Sequence, residues 1–181
     1  MTQKISLHIK GISEVVGAND IGIIMVVDQE EKRLISIVCD EMMKQQIELR
    51  LNPKPILNTM LPEVLYNVLK NQFGGNFEIV INDVQDGIYR AILVNKDTYQ
   101  PLSMRASDAI LLHLVSRIPL YATPTLMQRQ SVPFDATKRG VALPYNSLST
   151  DMLELALKKA VESEEYEVAS QLRDELKRRG V

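Results

Sequence analysis

The sequence has almost none of the residues that cross-link small proteins. It contains one cysteine, Cys39, and no tryptophan. A single thiol can form neither an internal disulfide nor a cysteine metal cage, so both kinds of cross-link are excluded. Proteins without disulfides are typical of reducing compartments, and we therefore expect a cytoplasmic protein.

The sequence also lacks a long apolar run and an excess of basic residues. No stretch of about 18 apolar residues occurs and the first residues show no signal-peptide core, so we expect no membrane segment. Lysine and arginine number 21 against 23 acidic residues, which gives a net charge of -2. Proteins that bind nucleic acid over a broad surface usually carry a basic excess, so only a local basic patch stays open here.

The composition is that of a globular protein of ordinary size. The 181 residues are 45% hydrophobic and 24% charged, enough for one domain and a small appendage. We predict an α+β domain over residues 1–130, a linker over 131–149 and an α-helical hairpin over 150–181. A mixed, largely antiparallel sheet should pack against helices in the domain.

The first part of the chain alternates between strand and helix patterns. Apolar alternation predicts strands at 4–10 and 33–38, and a β-branched run predicts another at 21–27. Residues 17–20 between the first two strands have the composition of a turn. Asp40 should begin a helix, since a carboxylate there can accept from its first N–H groups.

A second helix is predicted after Asn52-Pro-Lys-Pro55, capped by Asn58 or Thr59 and ended by Gly74-Gly75. Its apolar positions recur at helical spacing and form one stripe. The stripe consists of Leu61, Val64, Leu65, Val68 and Leu69.

The clearest local pattern lies in the second half of the domain. Two strand-like runs flank Asp86-Gly87, which favours a tight hairpin turn, and a third strand is expected at 99–104. The helix that follows is apolar on nearly every face, so it should be almost completely buried. We expect Ser107 to cap it and Asp108 to complement its positive end.

The C-terminal segment has the pattern of two amphipathic helices. Thr150 should cap the first, and Ser163-Glu-Glu165 separates it from the second. Two helices of this length bury too little apolar surface to be stable alone. They should dock on the main domain, dimerise or bind another helical partner.

Acidic side chains at the ends of predicted elements are the candidates for metal-dependent chemistry. Converging carboxylates can hold a hard cation and activate water. Each of these residues also has an ordinary alternative, as a turn former, a helix cap or a solvated charge. They are Asp40, Glu41, Asp83, Asp86 and Asp108.

Two arginines and one histidine complete the candidates. Arg90 and Arg105 are potential phosphate-binding cations, because Arg105 precedes a helix N-terminus that favours anions. An Arg105–Asp108 ion pair is the structural alternative. His113, on the buried helix, is either a general base or a hydrogen-bonded core histidine. Cys39 has no neighbouring histidine, which argues against nucleophilic catalysis.

The motif around Ser107 is similar to that of a known family. Met104-Arg-Ala-Ser-Asp-Ala-Ile110, followed by Ile118-Pro-Leu-Tyr121, resembles the Asp-x-Arg-Pro-Ser-Asp-Ala-Ile-Ala signature of the bifunctional nuclease domain family. The hairpin from Ile79 to Val94 matches the segment that precedes this signature. The resemblance covers roughly residues 4–130.

The resemblance implies hydrolysis of DNA or RNA phosphodiester bonds, with Mg²⁺ or Mn²⁺ as the cofactor. Arg105, Ser107 and Asp108 match the motif and are the implied catalytic residues, and Asp108 with Asp83 is the implied metal-binding pair. The chain departs from the family pattern at three positions, two of which lose a carboxylate. Ser103, Ala106 and Met43 stand where the family usually has Asp, Pro and Glu.

The last helix carries a second resemblance. Glu165-Tyr-Glu-Val-Ala-Ser-Gln-Leu-Arg-Asp-Glu-Leu176 is similar to the UVR motif, a helical pair found in nucleotide-excision-repair subunits and some protease regulators. The resemblance implies a UVR-type protein partner and a connection with DNA repair. The implied contact residues are Tyr166, Ala169, Leu172, Arg173, Asp174 and Leu176.

Two functions of different classes therefore stay open. The motif around Ser107 favours a nuclease. The lost acidic positions and a pI of about 5.8 favour a non-catalytic adaptor that forms a homodimer and binds a UVR-type partner through its hairpin.

Overall fold

A computed structural model describes residues 3–15, 18–52, 55–136, 145 and 148–180. Within these ranges the chain forms eight strands, six α-helices and one 3-10 helix, Pro55–Thr59. The strands are β1 (Ile5–Val15), β2 (Ala18–Asp28), β3 (Arg33–Asp40), β4 (Phe77–Gln85), β5 (Ile88–Asn95), β6 (Pro101–Arg105), β7 (Leu120–Ala122) and β8 (Val132–Pro133). The helices are α1 (Glu41–Leu51), α2 (Leu61–Phe73), α3 (Ala106–Ser116), α4 (Pro124–Gln130), α5 (Thr150–Glu162) and α6 (Tyr166–Arg178).

All eight strands belong to one mixed sheet. Their order is β6-β5-β4-β7-β1-β2-β3-β8, and only β4 and β7 run parallel to each other. The predicted α+β class with a largely antiparallel sheet is confirmed, as is the pair of C-terminal helices. β8 pairs with β3 through Arg33 and Leu34, so the sheet continues slightly past residue 130.

The sheet curves around α3. This helix contacts β5 and β4 on one side and β3 on the other, although four strands separate β5 from β3 in the sheet order. Ala106, Ala109 and Ile110 are completely buried, and no residue of α3 is exposed. Five of the eleven α3 residues are buried and the other six are partly exposed, so the helix is less completely buried than its apolar composition predicted. β3 and β5 come to face each other across its N-terminal end.

Local capping follows the sequence at some helices and departs from it at others. Asp40 caps α1 as predicted, its Oδ1 accepting from the Met43 N–H at 2.8 Å. Three other predicted caps are wrong, because each helix begins one or a few residues away from the expected position. The N-cap of α3 is Arg105 instead of Ser107, that of α2 is Met60 instead of Asn58 or Thr59, and that of α5 is Ser149 instead of Thr150.

The expected turn at residues 17–20 is also wrong for its described part. Ala18 to Asp20 belong to β2, and Ala18 pairs with Val15 across the hairpin; residue 17 lies outside the described residues. A long ladder with β1 outweighs the local turn preference of Asn and Asp, because strand formation depends on cross-strand partners more than on intrinsic propensity.

The apolar stripe of α2 does not face the core. The helix forms, but Leu61, Val64, Leu65 and Val68 are 43–68% exposed. Leu69, on the edge of that stripe, packs against the core together with Tyr66. The period of the apolar pattern was sufficient to predict a helix, and it was not sufficient to predict which side of α2 meets the domain.

An ion pair between α1 and α2 fixes this orientation. Arg50 Nε and Nη2 each donate to a carboxylate oxygen of Glu63 at 2.8 Å, and Nη1 donates to the backbone and side-chain oxygens of Gln46. The side chains of Arg50 and Glu63 are only 2% and 13% exposed. A bidentate pair in such a site is directional, so it holds the Glu63 side of α2 against α1.

Replacing Glu63 with glutamine should destabilise the fold strongly, because the Arg50 charge would stay buried without a counter-ion. We expect a loss of roughly 3 kcal/mol in the free energy of unfolding, measured by urea denaturation. The control is Glu30→Gln, which breaks the exposed Glu30–Lys32 pair and should cost less than about 1 kcal/mol. Equal midpoints for the two variants would contradict the anchoring role of Glu63.

None of the helices in the described residues is long and apolar enough to cross a membrane.

Candidate functional site

The junction of β6 and α3 places Arg105 and Asp108 together. Arg105 ends β6 and α3 begins at the next residue, so the arginine side chain folds back over the first helical turn. Its Nε donates to Asp108 Oδ2 at 2.7 Å and its Nη2 donates to Asp108 Oδ1 at 3.1 Å. The ion pair that the sequence offered as the structural alternative for Arg105 is therefore present.

A second carboxylate approaches Arg105 from the other side of the curved sheet. Asp40, at the end of β3, places its Oδ2 4.0 Å from Arg105 Nη1, while its Oδ1 caps α1. Hydrogen bonding and charge attraction from Asp108, with a smaller effect of Asp40, raise the pKa of Arg105 above its usual value. The guanidinium is thus a permanent, oriented cation that is still more than half exposed.

Arg105 stands at the edge of a cavity of about 300 Å³. The cavity lies between the end of β3, the beginning of β5 and the first turns of α3 and α5. Its walls are largely apolar, including Ile37 and Tyr89, and Arg105, Asp40, Ser107 and Ser149 supply the polar groups. A mostly apolar cleft with a few convergent polar side chains is the usual form of a ligand site.

Ser107 contributes a buried hydroxyl to this cavity. The residue is 8% exposed and lines the cavity wall, and its hydroxyl has no hydrogen-bond partner among the described residues. Buried polar groups usually bond to protein, water or a ligand, and a hydroxyl at a cavity wall can do so within the cavity. The Ser107 hydroxyl is therefore a hydrogen-bond donor available to a group bound in the cavity.

Cys39 lies in the same wall, and its thiol is protonated at neutral pH. Burial, with a smaller effect of the nearby Asp40 charge, raises the pKa of its thiol to about 11. The protonated thiol is a poor nucleophile at neutral pH. This agrees with the sequence-based argument against a cysteine nucleophile.

The structure does not bring Asp83 to this cavity. Asp83 on β4 lies opposite Arg90 on β5, which lies opposite Arg105 on β6. Two strand spacings, about 10 Å, therefore separate Asp83 from Arg105, and Asp83 Oδ1 accepts from the Val84 N–H. Among the described residues there is no group of three or more His, Cys, Asp or Glu side chains that could hold a metal ion.

The other candidates have structural roles. Asp86 occupies the β4–β5 turn with a φ of 50°, and Glu41 bonds to Lys44 and Gln45 within α1. His113 Nδ1 lies 2.7 Å from the Ile118 carbonyl oxygen, and burial lowers the pKa of its imidazole. His113 does not line the cavity, so the structure supports a core histidine.

Arg90 is exposed and sits directly across from Arg105 in the β5–β6 ladder. Within the part of the chain that the structure describes, its guanidinium makes no ion pair or hydrogen bond. The two arginines that the sequence singled out are therefore neighbours in the sheet, and Asp108, Asp40 and Asp83 lie beside them.

The C-terminal hairpin has its own apolar core. Ala169, Leu172 and Leu176 pack against α5 residues such as Leu153 and are buried. Of the six implied contact residues, these three hold α5 to α6. Tyr166, Arg173 and Asp174 are exposed.

The beginning of α5 covers one side of the cavity, a feature that sequence analysis missed. Ser149 and Met152 line the cavity beside Gly87. Gly87 has a φ of +78°, and a Cβ there would lie 2.4 Å from the Leu148 carbonyl oxygen. Arg179 Nη1 donates to the same oxygen at 2.7 Å. The Asp-Gly turn pattern explains the glycine at position 87 only through the backbone conformation of the turn. The close approach of Leu148 is a second reason why no larger residue fits there.

The part of the chain that contains this cavity matches a known family. The sequence model of the bifunctional nuclease domain matches residues 23–135, which is more than half of the chain and includes Asp40, Arg105, Ser107 and Asp108. The chain belongs to the bifunctional nuclease domain family. No protein with a curated description matches the chain.

Replacing Gly87 with alanine should displace the hairpin from the cavity, because the new methyl group collides with the Leu148 carbonyl. We expect a nonspecific protease to separate the hairpin from the domain several-fold faster in this variant. Gly74→Ala is the matched control, since Gly74 has a φ of +75° but a Cβ there would have no other atom within 4 Å. Similar cleavage rates in both variants would show that the contact at Gly87 does not hold the hairpin.

Proposed function

We propose that this protein hydrolyses phosphodiester bonds of nucleic acid at the cavity beside Arg105. Membership of the bifunctional nuclease domain family supports nuclease-related chemistry. The observation that carries the proposal is the pairing of a buried, unpartnered Ser107 hydroxyl with an oriented guanidinium at one cavity wall.

The two side chains suit a phosphate group. Arginine binds phosphate through parallel N–H donors. Asp108 bonds to Nε and Nη2 of Arg105, whereas Asp40 stays 4.0 Å from Nη1, so the Nη1 side of the guanidinium is the more open one. The Ser107 hydroxyl would donate to a second phosphate oxygen. Fixed donors of this kind stabilise the negative charge that develops on the phosphoryl oxygens in the transition state.

Asp40 is the base that the geometry offers. Its carboxylate is exposed and lies on the opposite side of Arg105 from Asp108. In the proposed reaction water attacks phosphorus and passes a proton to Asp40, while the bond from phosphorus to one ester oxygen breaks and that oxygen takes a proton from solvent. The products are a phosphomonoester and an alcohol.

A divalent cation is a separate part of the proposal. The described side chains do not form a cation site by themselves, so the reaction above includes none. Mg²⁺ is commonly held by one or two carboxylates together with substrate phosphates, and Asp40 and Asp108 both flank Arg105. Dependence on Mg²⁺ or Mn²⁺ therefore stays a prediction, with Asp40 in the place first given to Asp83.

Ser107→Ala and Arg105→Lys should each lower the rate of nuclease cleavage about 100-fold, the usual effect of losing one oriented donor to a developing anion. The assay follows single- and double-stranded DNA and RNA, with Mg²⁺, Mn²⁺ or EDTA. Ser103→Ala and Arg129→Ala alter exposed residues of the same types and should retain full activity.

Asp108→Ala should also lower the rate, because Arg105 would lose its bidentate partner. Unchanged cleavage in Asp108→Ala would remove Asp108 from the site. Cleavage that is equally insensitive to Ser107→Ala and Arg105→Lys would reject this cavity as the site of hydrolysis.

A second function, that of an adaptor, is supported by the surface of the hairpin. Leu155, Val161 and Tyr166 are large apolar residues of which half or more is exposed. Other apolar residues of the hairpin, such as Leu153 and Leu172, pack α5 against α6. The exposed side chains, with Arg173 and Asp174, give the UVR-like segment a surface for a helical protein partner.

Tyr166→Ala should abolish capture of a UVR-type partner while leaving the hairpin folded, because Tyr166 is exposed and its loss removes no core contact. Leu172→Ala should lose both capture and helical circular dichroism, since Leu172 is buried. Lys158→Ala, at an exposed position of α5, is the control. Full capture by Tyr166→Ala would argue against this surface.

A further inference from the structure

The C-terminal hairpin forms one side of the cavity beside Arg105. Ser149 and Met152, at the beginning of α5, belong to that side, whereas the domain supplies the other walls. Ser149 is fixed there as the N-cap of α5, because its Oγ accepts from the Met152 N–H at 3.3 Å. The size of the cavity, about 300 Å³, therefore depends on where the hairpin lies.

The hairpin is nevertheless a unit with a core of its own. Its buried residues, which include Leu148, Leu153 and Leu172, form a cluster that shares no residue with the core of the domain within the described ranges. α5 and α6 pack mainly on each other. Parts of one chain that share no large apolar interface usually move relative to each other. The hairpin can therefore leave the cavity as one piece, without opening either core.

The contact between hairpin and domain is narrow and lies at the β4–β5 turn. The backbone of Gly87 approaches Leu148 so closely that a Cβ would lie 2.4 Å from the Leu148 carbonyl oxygen. Hydrogen bonds and charge attraction from Glu175, with a smaller effect of Asp86 in this turn, raise the pKa of Arg178 on α6. Asp86 and Arg178 are both exposed, and attraction between exposed charges contributes little stability.

Arg179 connects the end of α6 to the segment that covers the cavity. Its side chain is only 3% exposed. Nη1 donates to the Leu148 carbonyl oxygen at 2.7 Å, and Nε donates to Glu175 Oε1 at 2.9 Å. The same carbonyl group that lies against Gly87 is thus bonded to the last turn of α6. A displacement of that turn would carry Leu148 and the adjoining Ser149 with it.

The covered cavity is small for a strand of nucleic acid. Sites that enclose a drug-sized ligand measure about 300–1,000 Å³, and this cavity lies at the lower limit. A phosphodiester inside a polymer has a nucleotide on each side, so the strand must leave the site in two directions. Ser149 and Met152 close one side of the cavity and obstruct such a path.

We propose that the C-terminal hairpin is a displaceable cover that restricts the access of nucleic acid strands to Arg105 and Ser107. Release of the contact at Gly87 admits the strand, and Arg179 couples the end of α6 to the closure. The inference rests on the proposed function, since it takes nucleic acid as the substrate, and it adds the regulation of that site.

Cys39 offers a readout that does not depend on catalysis. It is the single cysteine of the chain, lines the cavity and is 7% exposed. Gly87→Ala displaces the cover from the domain side, and Arg179→Ala releases it from α6. Each should raise the rate of Cys39 labelling by a maleimide at a fixed pH about tenfold, because labelling follows the local opening of the cover.

The same two variants are tested for binding of a fluorescent single-stranded oligonucleotide in EDTA, by anisotropy. Each should bind it about tenfold more tightly than the wild-type chain, because the apparent affinity rises with the fraction of open molecules. Adding Ser107→Ala should remove this gain, since the strand then loses a donor inside the cavity.

Two variants serve as controls and should label and bind like the wild-type chain. Gly74→Ala places a Cβ where no other atom lies within 4 Å, and Lys177→Ala removes an exposed cation of α6. The helical circular dichroism of Gly87→Ala should equal that of the wild-type chain. Faster labelling that occurs only together with a loss of helix would overturn the proposal, because it would report unfolding instead of displacement.

The outcomes separate this proposal from the proposed nuclease. Faster labelling and tighter binding without hydrolysis by any variant would support the cover and reject the nuclease. Labelling or binding that stays at the wild-type level in both release variants would overturn the cover, whether or not the chain hydrolyses nucleic acid.

Discussion

The burial of α3 is the constraint on which the rest of the structure depends. No residue of this helix is fully exposed, so it is covered on more than one side, and one flat sheet covers only one side of a helix. The sheet meets this requirement by curving, which brings β3 and β5 to opposite sides of α3. The cavity is a consequence, since it lies where the two strands face each other at the N-terminal end of the helix.

The absence of a connecting loop between β6 and α3 determines what stands at that cavity. Arg105 is both the last strand residue and the N-cap of the helix, so its guanidinium can reach Asp108 in the first turn and Asp40 across the gap. Ser107, one residue inside the helix, is turned into the cavity wall instead of capping the helix. The signature motif thus encodes a geometry as well as a set of chemical groups.

Sequence reasoning succeeded where the cause was local and failed where it was not. The Asp86-Gly87 hairpin and the Asp40 cap depend on neighbouring residues, and both are present. The side of α2 that faces the domain depends on the ion pair between Glu63 and Arg50, which lies thirteen residues earlier. The apolar periodicity of α2 cannot predict an ion pair with another helix. The beginning of α5 covers the cavity because Leu148 lies against Gly87. The composition of the predicted linker, residues 131–149, does not predict this contact. The Arg105–Asp108 pair was one of two alternatives that the sequence left open for Arg105, because the two residues are only three positions apart.

The Arg105–Asp108 pair connects the cavity with the α2 surface. Arg105 lines the cavity and Asp108 lines an apolar groove beside α2, so whatever covers the groove changes the solvent around one half of the pair. A salt bridge becomes electrostatically stronger as water is removed from it. Covering the groove would therefore hold Arg105 more rigidly against Asp108 and sharpen its orientation towards the cavity. In this way a contact made by α2, itself held in place by Arg50 and Glu63, would affect Arg105 at the cavity without any movement of the sheet.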